Sequence, residues 1–225
     1  MTNQGLAVTS ILVDVPSSRY LRVKRIIDVV VAGLLLAILV LPFALLALAI
    51  KLHSPGPVLF RQTRVGKDGR LFTFLKFRSM RHNADTSIHR EHMAALIRNH
   101  DLAPTDGKSA KMERDPRITG LGRILRKASL DELPQLINVL RGEMSLIGPR
   151  PCIPYEAELF QEWHRRRFAA LPGITGWWQV KGRNRVSFDD AMRMDIYYVD
   201  HLSFWLDLQI LIFTPFAVLT GKGAG

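Results

Sequence analysis

The sequence predicts a helix-rich α+β protein that associates with a membrane, and three observations lead to this fold class. Residues 29–50 form a long apolar stretch without a charged side chain. Two short apolar runs separated by glycines are typical of a small β-hairpin, and several later segments have the spacing of amphipathic helices. We therefore expect one re-entrant (helix-break-helix) N-terminal membrane segment, a small β-hairpin and amphipathic helices that lie in the membrane interface.

The composition excludes several classes of protein. A length of 225 residues suits one main domain that buries a sizeable core. With 48% hydrophobic and 23% charged residues, the chain is neither disordered nor collagen-like. Its 31 Lys and Arg residues exceed its 20 Asp and Glu residues, and the net charge of +11 predicts an anionic partner. The single cysteine, Cys152, cannot form an intramolecular disulfide bond and fits a reducing compartment.

The apolar stretch at residues 29–50 is long enough to cross a bilayer. A signal peptide would have a shorter apolar core and a small-residue cleavage site, which the sequence around Leu41 and Pro42 does not offer. A buried core helix is the structural alternative, and the length of the stretch disfavours it. We therefore interpret the stretch as a membrane segment.

Basic residues flank this membrane segment on both sides. Because Lys and Arg prefer the cytoplasmic face, both flanks belong on the same side of the membrane, which a single crossing cannot achieve. Pro42 lies near the middle, where it removes a helix hydrogen bond. We therefore favour a helix that breaks at Leu41 and Pro42 and returns to the same face over one that spans. The flanking cations include Arg19, Arg22, Lys24 and Arg25 before the stretch and Lys51, Arg61, Arg64 and Lys67 after it.

These features divide the chain into an N-terminal tail (residues 1–18), a re-entrant membrane helix (19–52) and a cytoplasmic domain with interfacial helices that carries the candidate catalytic residues (53–225). Residues 58–60 and 71–77 are the predicted hairpin strands, and 172–176 is a predicted turn. The other predicted helices cover residues 85–100, 121–127, 133–140, 155–170 and 186–201, with a surface loop at 103–117. Residues 204–219 form either an interfacial helix or an ordinary core helix.

The densest group of chemically active side chains lies at residues 123–136. Ser129 and Glu132 have the spacing of a capping box, and alternatively Asp131 caps a helix whose first turn holds Pro134. In both cases two adjacent carboxylates, Asp131 and Glu132, lie at a helix N-terminus, where they either only cap the helix or form a site. The nearby cation Arg126 favours a site for phosphate and a divalent cation.

Two further clusters supply cations for a phosphate. Lys76 and Arg78 end the second hairpin strand, and the alternation of a strand places both on one face. Arg150 lies between two prolines, which limit the backbone freedom that it would lose on binding a ligand. Downstream, the glycine-rich turn before Trp177, Trp178 and Gln179 either contacts a nucleotide or is a turn of the core.

Six short segments follow one another in a characteristic order. They are Ser54-Pro-Gly-Pro57, Phe60-Arg61-Gln62, Lys76-Phe-Arg-Ser-Met80, Ser129-Leu-Asp-Glu-Leu-Pro-Gln-Leu136, Met144-Ser-Leu-Ile-Gly-Pro-Arg-Pro151 and Pro172-Gly-Ile-Thr-Gly176. In this the sequence resembles the bacterial sugar transferases, which are monotopic polyprenyl-phosphate phosphoglycosyl transferases. The resemblance covers about residues 19 to 219 and is most specific at 129–151. Because only a short tail precedes the membrane segment, the sequence resembles the short single-domain form.

This resemblance implies that a UDP-sugar binds with Mg²⁺ and that Asp131 attacks the sugar-bearing phosphorus and expels UMP. Membrane-held undecaprenyl phosphate then takes the phosphosugar from Asp131. Glu132 is implied to bind metal with Asp131 or to orient it. The implied substrate-binding residues are Lys76, Arg78, Arg126, Arg150 and Gln179.

The implied reaction starts the assembly of an exopolysaccharide, capsule or other glycoconjugate at the cytoplasmic face of the bacterial inner membrane. Its partners are membrane lipids and the two substrates, not nucleic acid, and oligomerisation is compatible with the sequence. The alternative is a non-enzymatic basic module that docks on anionic lipid, which needs the membrane segment and the charge but not the acid pair. No motif identifies the sugar or the pathway.

Overall fold

The computed structural model describes residues 17–81, 87–98, 117–182 and 186–219. Within these ranges it is a helix-rich α+β fold, as predicted. The helices are α1 (Ser18–His53), α2 (Ser87–Arg98), α3 (Gly120–Lys127), α4 (Gln135–Arg141), α5 (Pro154–Glu158), α6 (Trp177–Lys181), α7 (Phe188–Asp200) and α8 (Phe204–Leu219). The strands are β1 (Leu59–Val65), β2 (Leu71–Phe77), β3 (Ser145–Ile147) and β4 (Gly173–Thr175).

Helix α1 contains the predicted membrane segment and is long and apolar enough to cross a membrane. Only Asp28, Ala32 and Ile50 of this helix are buried, so most of its apolar side chains face outward. The prediction that the helix breaks at Leu41 and Pro42 is wrong, because α1 continues through both residues. A proline removes one N–H donor from the helix, and the hydrogen bonds of the neighbouring residues carry the helix across it.

Both ends of α1 contact the same body of the protein. Near its N-terminus, Lys24 Nζ lies 2.8 Å from Asp207 Oδ2 of α8, and Arg25 donates to the Val139 carbonyl at the end of α4 at 2.6 Å. Near its C-terminus, Arg78 donates to the Ser54 carbonyl at 2.7 Å. Both basic flanks of the membrane segment therefore lie on one body of the protein.

The predicted hairpin is present. Strands β1 and β2 pair antiparallel from Leu59 opposite Phe77 to Val65 opposite Leu71. The loop between them contains Asp68 and Gly69, both at positive φ, which permits the tight connection. The first predicted strand, residues 58–60, is therefore longer than expected, and the second has the expected bounds.

The turn predicted at residues 172–176 is wrong, because Gly173–Thr175 is a strand that pairs parallel with β3. The reason is a close approach between two segments that are distant in sequence. A Cβ on Gly173 would overlap the backbone nitrogen of Gly148, so only glycine allows the strands to come this near. Glycines that suggested a turn instead permit backbone contact.

The single helix predicted at residues 155–170 is also wrong. It is divided into α5 and a 3₁₀ helix at Glu162–Ala169. The N–H of Gln161 donates to His164 Nδ1 at 3.1 Å instead of continuing the ladder of α5. Helices α3, α4 and α7 agree with their predictions to within about two residues at each end, as boundary assignments usually do. Residues 1–16 of the predicted tail and residues 103–116 of the predicted surface loop lie outside the described residues. Helix α2 covers the described part of the helix predicted at residues 85–100.

Helix α4 is the centre of the core. Its Leu136 and Val139 pack with Ala32 of α1, Phe74 of β2 and Met144. The fully buried Asn138 accepts a hydrogen bond from the Leu75 backbone at 3.1 Å and donates to the Thr73 carbonyl at 2.7 Å. The same helix therefore fixes the membrane helix on one side and the hairpin on the other.

Helix α8 combines the two roles between which the sequence left the choice open. Its Leu206 and Ile210 are buried with Tyr198 and Ile147 in the core. On the other side, Trp205 is 71% exposed, and Phe204, Phe213 and Phe216 are also exposed. An exposed row of large aromatic side chains next to a buried face is typical of a helix that lies in a membrane interface.

Candidate active site

The candidate site forms where β2, the turn before α4 and the loop after β3 meet. Asn138 ties β2 to α4 through the backbone of Leu75, the residue before Lys76. This hydrogen bond sets the register between the strand that carries Lys76 and the helix that follows the two acids. The site is therefore assembled by packing around α4 rather than by one continuous motif.

Asp131 and Glu132 lie in a 3₁₀ turn, Leu130–Glu132, that precedes α4. Ser129 enters this turn in the left-handed region, at φ 56°, and makes no side-chain capping hydrogen bond. Helix α4 begins after Pro134, also without a side-chain cap. Both predicted caps are therefore wrong, and neither carboxylate is used to cap the helix.

The carboxylate of Glu132 is held by two cations. Its Oε1 lies 2.7 Å from Lys76 Nζ and 3.2 Å from Arg150 Nη2. Burial opposes ionisation, but the charges of Lys76 and Arg150 outweigh it and hold the pKa of Glu132 below its usual range. Glu132 is therefore a fixed anion, and it orients both cations.

The carboxylate of Asp131 is placed differently. Its side chain is 7% exposed, and its Oδ2 lies 4.0 Å from Lys76 Nζ, beyond direct hydrogen-bond distance. Burial raises the pKa of Asp131, and the charge of Lys76 works against this rise. A buried carboxylate with a shifted pKa and a nearby cation, but no tight salt bridge to that cation, is a candidate for a reactive group.

Arg150 extends from the loop between β3 and α5 and is the more accessible of the two cations that hold Glu132, with its side chain 37% exposed against 16% for Lys76. The loop is fixed from behind by the backbone. Gly173 donates to the Pro149 carbonyl at 2.9 Å, and Arg64 donates to the Pro151 carbonyl at 3.0 Å. The guanidinium therefore reaches the acids from a loop with little freedom.

Arg126 lies in the last turn of α3. Its positive charge lowers the pKa of Asp131, so the two groups are close enough to interact. Helix α3 is held in place by close packing, because a Cβ on Gly122 would overlap the Ser79 carbonyl. The structure thus brings Lys76, Arg126 and Arg150 together around the two acids.

Arg78 makes different contacts, which favour a structural role over the predicted role in substrate binding. The side chain is buried and donates to the carbonyls of Pro55 at 2.9 Å and Ser54 at 2.7 Å, and to the Ser54 hydroxyl at 2.9 Å. It therefore binds the chain just after α1. The alternation that placed Lys76 and Arg78 on one face ends with β2 at Phe77.

Gln179 lies in α6, directly after β4, and its Nε2 donates to the Ile174 carbonyl at 3.1 Å. Parallel strands end at the same edge of a sheet, so α6 starts on the edge from which the Arg150 loop leaves β3. A Cβ on Gly176 would overlap the Gly148 carbonyl, which shows how close the two segments are. A substrate contact of Gln179 stays a prediction.

Sequence reasoning missed the residues that hold this site together. Asn138, Arg64, Arg167 and Asp195 make buried or half-buried contacts across long stretches of sequence. The run of arginines at 165–167 was visible in the sequence, but nothing in it indicated that Arg167 faces inward. Asp195 has no local signal at all.

The acid pair fits a magnesium ion that a substrate shares. Mg²⁺ is usually bound by one or two protein carboxylates together with substrate phosphates and water. Asp131 and Glu132 supply two such carboxylates from adjacent residues. No group of three His, Cys, Asp or Glu side chains suited to a metal occurs among the described residues, so that part of the chain offers no complete cage.

Taken together, the fold and site define a protein with one apolar helix long enough to cross a membrane and an adjacent acid pair beside fixed cations. Carboxylates and cations in one place are typical of sites that bind phosphate groups. Residues 19–221 match the bacterial sugar transferase family, and the chain belongs to it.

Three relatives illustrate the match. The chain is 38% identical to "Galactosyl transferase CpsE" of Streptococcus agalactiae, over 99% of this chain and 48% of the relative. It is 41% identical to "Undecaprenyl-phosphate galactose phosphotransferase" of Salmonella typhimurium, over 92% of this chain and 42% of the relative. It is 43% identical to "UDP-glucose:undecaprenyl-phosphate glucose-1-phosphate transferase" of Caulobacter vibrioides, over 89% of this chain and 71% of the relative. The chain thus spans less than half the length of the first two.

Proposed function

We propose that this protein transfers a sugar 1-phosphate from a UDP-sugar to undecaprenyl phosphate and releases UMP. The observation that carries the proposal is the adjacent acid pair, the buried Asp131 and the partly exposed Glu132, with Lys76 and Arg150 both within 3.2 Å of Glu132. Family membership and the names of the Salmonella and Caulobacter relatives support undecaprenyl phosphate as the acceptor, and the name of the Caulobacter relative supports a UDP-sugar as the donor. The product would start the assembly of a surface polysaccharide or other glycoconjugate.

Asp131 is the nucleophile in this proposal. Its carboxylate oxygen attacks the sugar-bearing phosphorus, a new P–O bond forms, and the bond to the UMP oxygen breaks. The 4.0 Å separation from Lys76 supports this role, because Asp131 is not held in a tight ion pair. Splitting the transfer into two displacements at one carboxylate lets the bulky nucleotide leave before the lipid phosphate enters.

Glu132 and the cations position the donor. Glu132 holds Lys76 and Arg150 in place, and Arg126 adds positive charge near Asp131. These groups neutralise the phosphate oxygens and so reduce the repulsion that an anionic nucleophile meets. The Asp131 and Glu132 carboxylates would also hold Mg²⁺, which when bound neutralises further charge on the diphosphate.

In the second step, an oxygen of undecaprenyl phosphate attacks the phosphorus held on Asp131, and the carboxylate is regenerated. Both ends of α1 contact the catalytic body, and Trp205 and Phe216 of α8 are exposed on it. These features support a site at the depth of lipid headgroups, on the cytoplasmic face of the bacterial inner membrane. A lipid acceptor would then reach the site without leaving the bilayer.

The test is release of UMP by the purified protein in detergent or nanodiscs, with Mg²⁺, undecaprenyl phosphate and a panel of UDP-sugars. We expect turnover with at least one sugar, and loss of turnover in Asp131→Asn with membrane binding intact. Asp68→Asn, in the hairpin loop, is the matched control and should keep wild-type turnover.

The covalent step has its own readout. Without the lipid acceptor, wild-type protein should release about one UMP per active site, as expected for a burst of a covalent intermediate, and a rapid acid quench should retain labelled phosphosugar on the protein. Release of UMP only when both substrates are present would contradict the intermediate. Membrane binding without turnover on any UDP-sugar would favour the docking module instead.

A further inference from the structure

A fully buried ion pair lies behind the loop that carries Arg150. Asp195 of α7 is fully buried and Arg167 nearly so, and Arg167 Nη2 lies 2.6 Å from Asp195 Oδ2. Burying two charges away from water is expensive, and apolar residues of similar volume often give equal or greater stability. The pair therefore needs a reason other than stability alone.

The contacts of Arg167 supply such a reason. The Nη2 atom that pairs with Asp195 also donates to the backbone carbonyl of Arg150, at 2.5 Å. Arg150 in turn places its own Nη2 3.2 Å from Glu132 Oε1. A continuous chain of charge-assisted hydrogen bonds thus runs from Asp195 through Arg167 and Arg150 to the acid pair.

This chain acts on the backbone freedom that the two prolines leave to Arg150. Pro149 and Pro151 restrict the neighbouring backbone, and Pro151 limits the ψ angle of Arg150 to the extended region, but the φ angle of Arg150 and a range of ψ stay open to selection by a donor to its carbonyl. Arg167 is that donor, and Asp195 holds the guanidinium in place while it donates. Rotation of this peptide group would move the Arg150 side chain away from Glu132.

We propose that Arg167 and Asp195 are positioning residues that orient Arg150 for the diphosphate of the donor. The inference rests on the proposed function and adds to it, because neither residue reaches the acid pair directly. Small displacements of a positioning group cost disproportionate activity, since the cation then meets the phosphate at the wrong distance. Loss of Asp195 should therefore act like a partial loss of Arg150.

The test is a double-mutant cycle on UMP release, with Asp195→Asn, Arg150→Ala and the double variant. Asparagine keeps the shape of Asp195 and removes its charge. We expect Asp195→Asn to lower kcat/KM for the UDP-sugar by about 10- to 100-fold, mostly through KM, as for loss of a supporting hydrogen-bond partner. In the Arg150→Ala background the same substitution should cost less than about 2-fold, because the residue through which it acts is gone.

A neighbouring ion pair provides the matched control. Arg166 and Asp200 join the same two segments at 2.8 Å, but this pair is about 30% exposed and has no contact with the Arg150 loop among the described residues. Asp200→Asn should keep turnover within about 2-fold of wild type, as expected for an exposed pair. Thermal unfolding of every variant shows whether it is folded.

Three results would overturn the inference. The first is wild-type kinetics in Asp195→Asn. The second is that Asp195→Asn lowers kcat/KM by the same factor in the Arg150→Ala background as in the wild type. The third is that Asp200→Asn lowers kcat/KM as much as Asp195→Asn does. If Asp195→Asn does not fold, Arg167→Lys keeps the charge with fewer donors, and the cycle with Arg150→Ala is repeated on it with the same two outcomes. Absence of UMP release from wild-type protein would instead refute the proposed function, so the two failures are distinguishable.

Discussion

The different contacts of Lys76 and Arg78 give the sharpest test of the structure. These residues are two apart in sequence and were predicted to share one function, yet Lys76 faces the acid pair and Arg78 binds the end of the membrane helix. Arg78→Met removes a buried guanidinium and keeps most of its volume. We expect this variant to lose stability and to retain the catalytic geometry.

The expected loss of stability in Arg78→Met follows from the acceptors that lose their donor. The carbonyls of Ser54 and Pro55 and the Ser54 hydroxyl each receive a hydrogen bond of 2.7–2.9 Å from Arg78. A hydrogen bond from a charged donor contributes about 1.5–3 kcal/mol, and bonds from one donor group do not add fully. A total of roughly 4 kcal/mol corresponds to a fall of about 10 °C in the unfolding midpoint for a domain of this size.

The assay compares Arg78→Met with Lys76→Met, in detergent, by thermal unfolding and by UMP release. Lys76→Met removes the cation that lies 2.7 Å from Glu132 and 4.0 Å from Asp131. It should lower turnover by about 100-fold or more, as loss of one electrostatic contact to a developing charge does. Its midpoint should fall by less than half as much as that of Arg78→Met.

The opposite pattern would refute the reasoning. If Arg78→Met unfolds within about 2 °C of wild type, less than the shift expected for 1 kcal/mol, and has lost turnover, then Arg78 contacts substrate. Activity is to be measured well below the midpoint of each variant, so that unfolding is not counted as loss of catalysis.

Three further predictions concern other parts of the chain. Burial raises the pKa of Asp195 to about 6, whereas an aspartate in an unfolded chain ionises at about 3.9. As the pH rises from about 4 to about 7, the free energy of unfolding of the wild type should therefore fall by about 3 kcal/mol relative to that of Asp195→Asn. A difference that does not change with pH in thermal unfolding would contradict this. Gly173→Ala should lower both the midpoint and UMP release, because its Cβ meets the backbone of Gly148, whereas Gly33→Ala, with nothing within 4 Å, should change neither. Single cysteines at Ser18 and Leu52 should both be shielded from a periplasmic thiol reagent, and labelling of one alone would indicate a spanning helix.

The corrected elements show where local patterns are insufficient. Ser129 and Glu132 have the spacing of a capping box, yet Glu132 pairs with Lys76, which is 56 residues away along the chain. The glycines at 173 and 176 suggested a turn, but each lies against Gly148 in a parallel pairing that no local pattern encodes. In each case a distant segment offered the polar group or the close packing that decided the conformation.

The predictions that held depend on local patterns. The antiparallel hairpin follows from two apolar runs and a glycine-bearing loop, and the membrane segment follows from its length and lack of charge. Both signals are read within one stretch of chain, so tertiary contacts did not need to be known. Asp131 and Glu132 were selected as candidate residues in the same way, and their catalytic role stays a prediction.

The sequence by itself determined which side chains are available: an apolar helix with basic flanks, an acid pair and a set of cations. The tertiary structure alone decided which cation serves which partner, because that depends on packing around α4 and on the pairing of β3 with β4. Arg78 and Lys76 contact different partners, and Arg167 and Asp195 pack behind the loop that carries Arg150, for the same physical reason. A buried charge must find its partner wherever the fold places one, and sequence neighbours do not reveal that place.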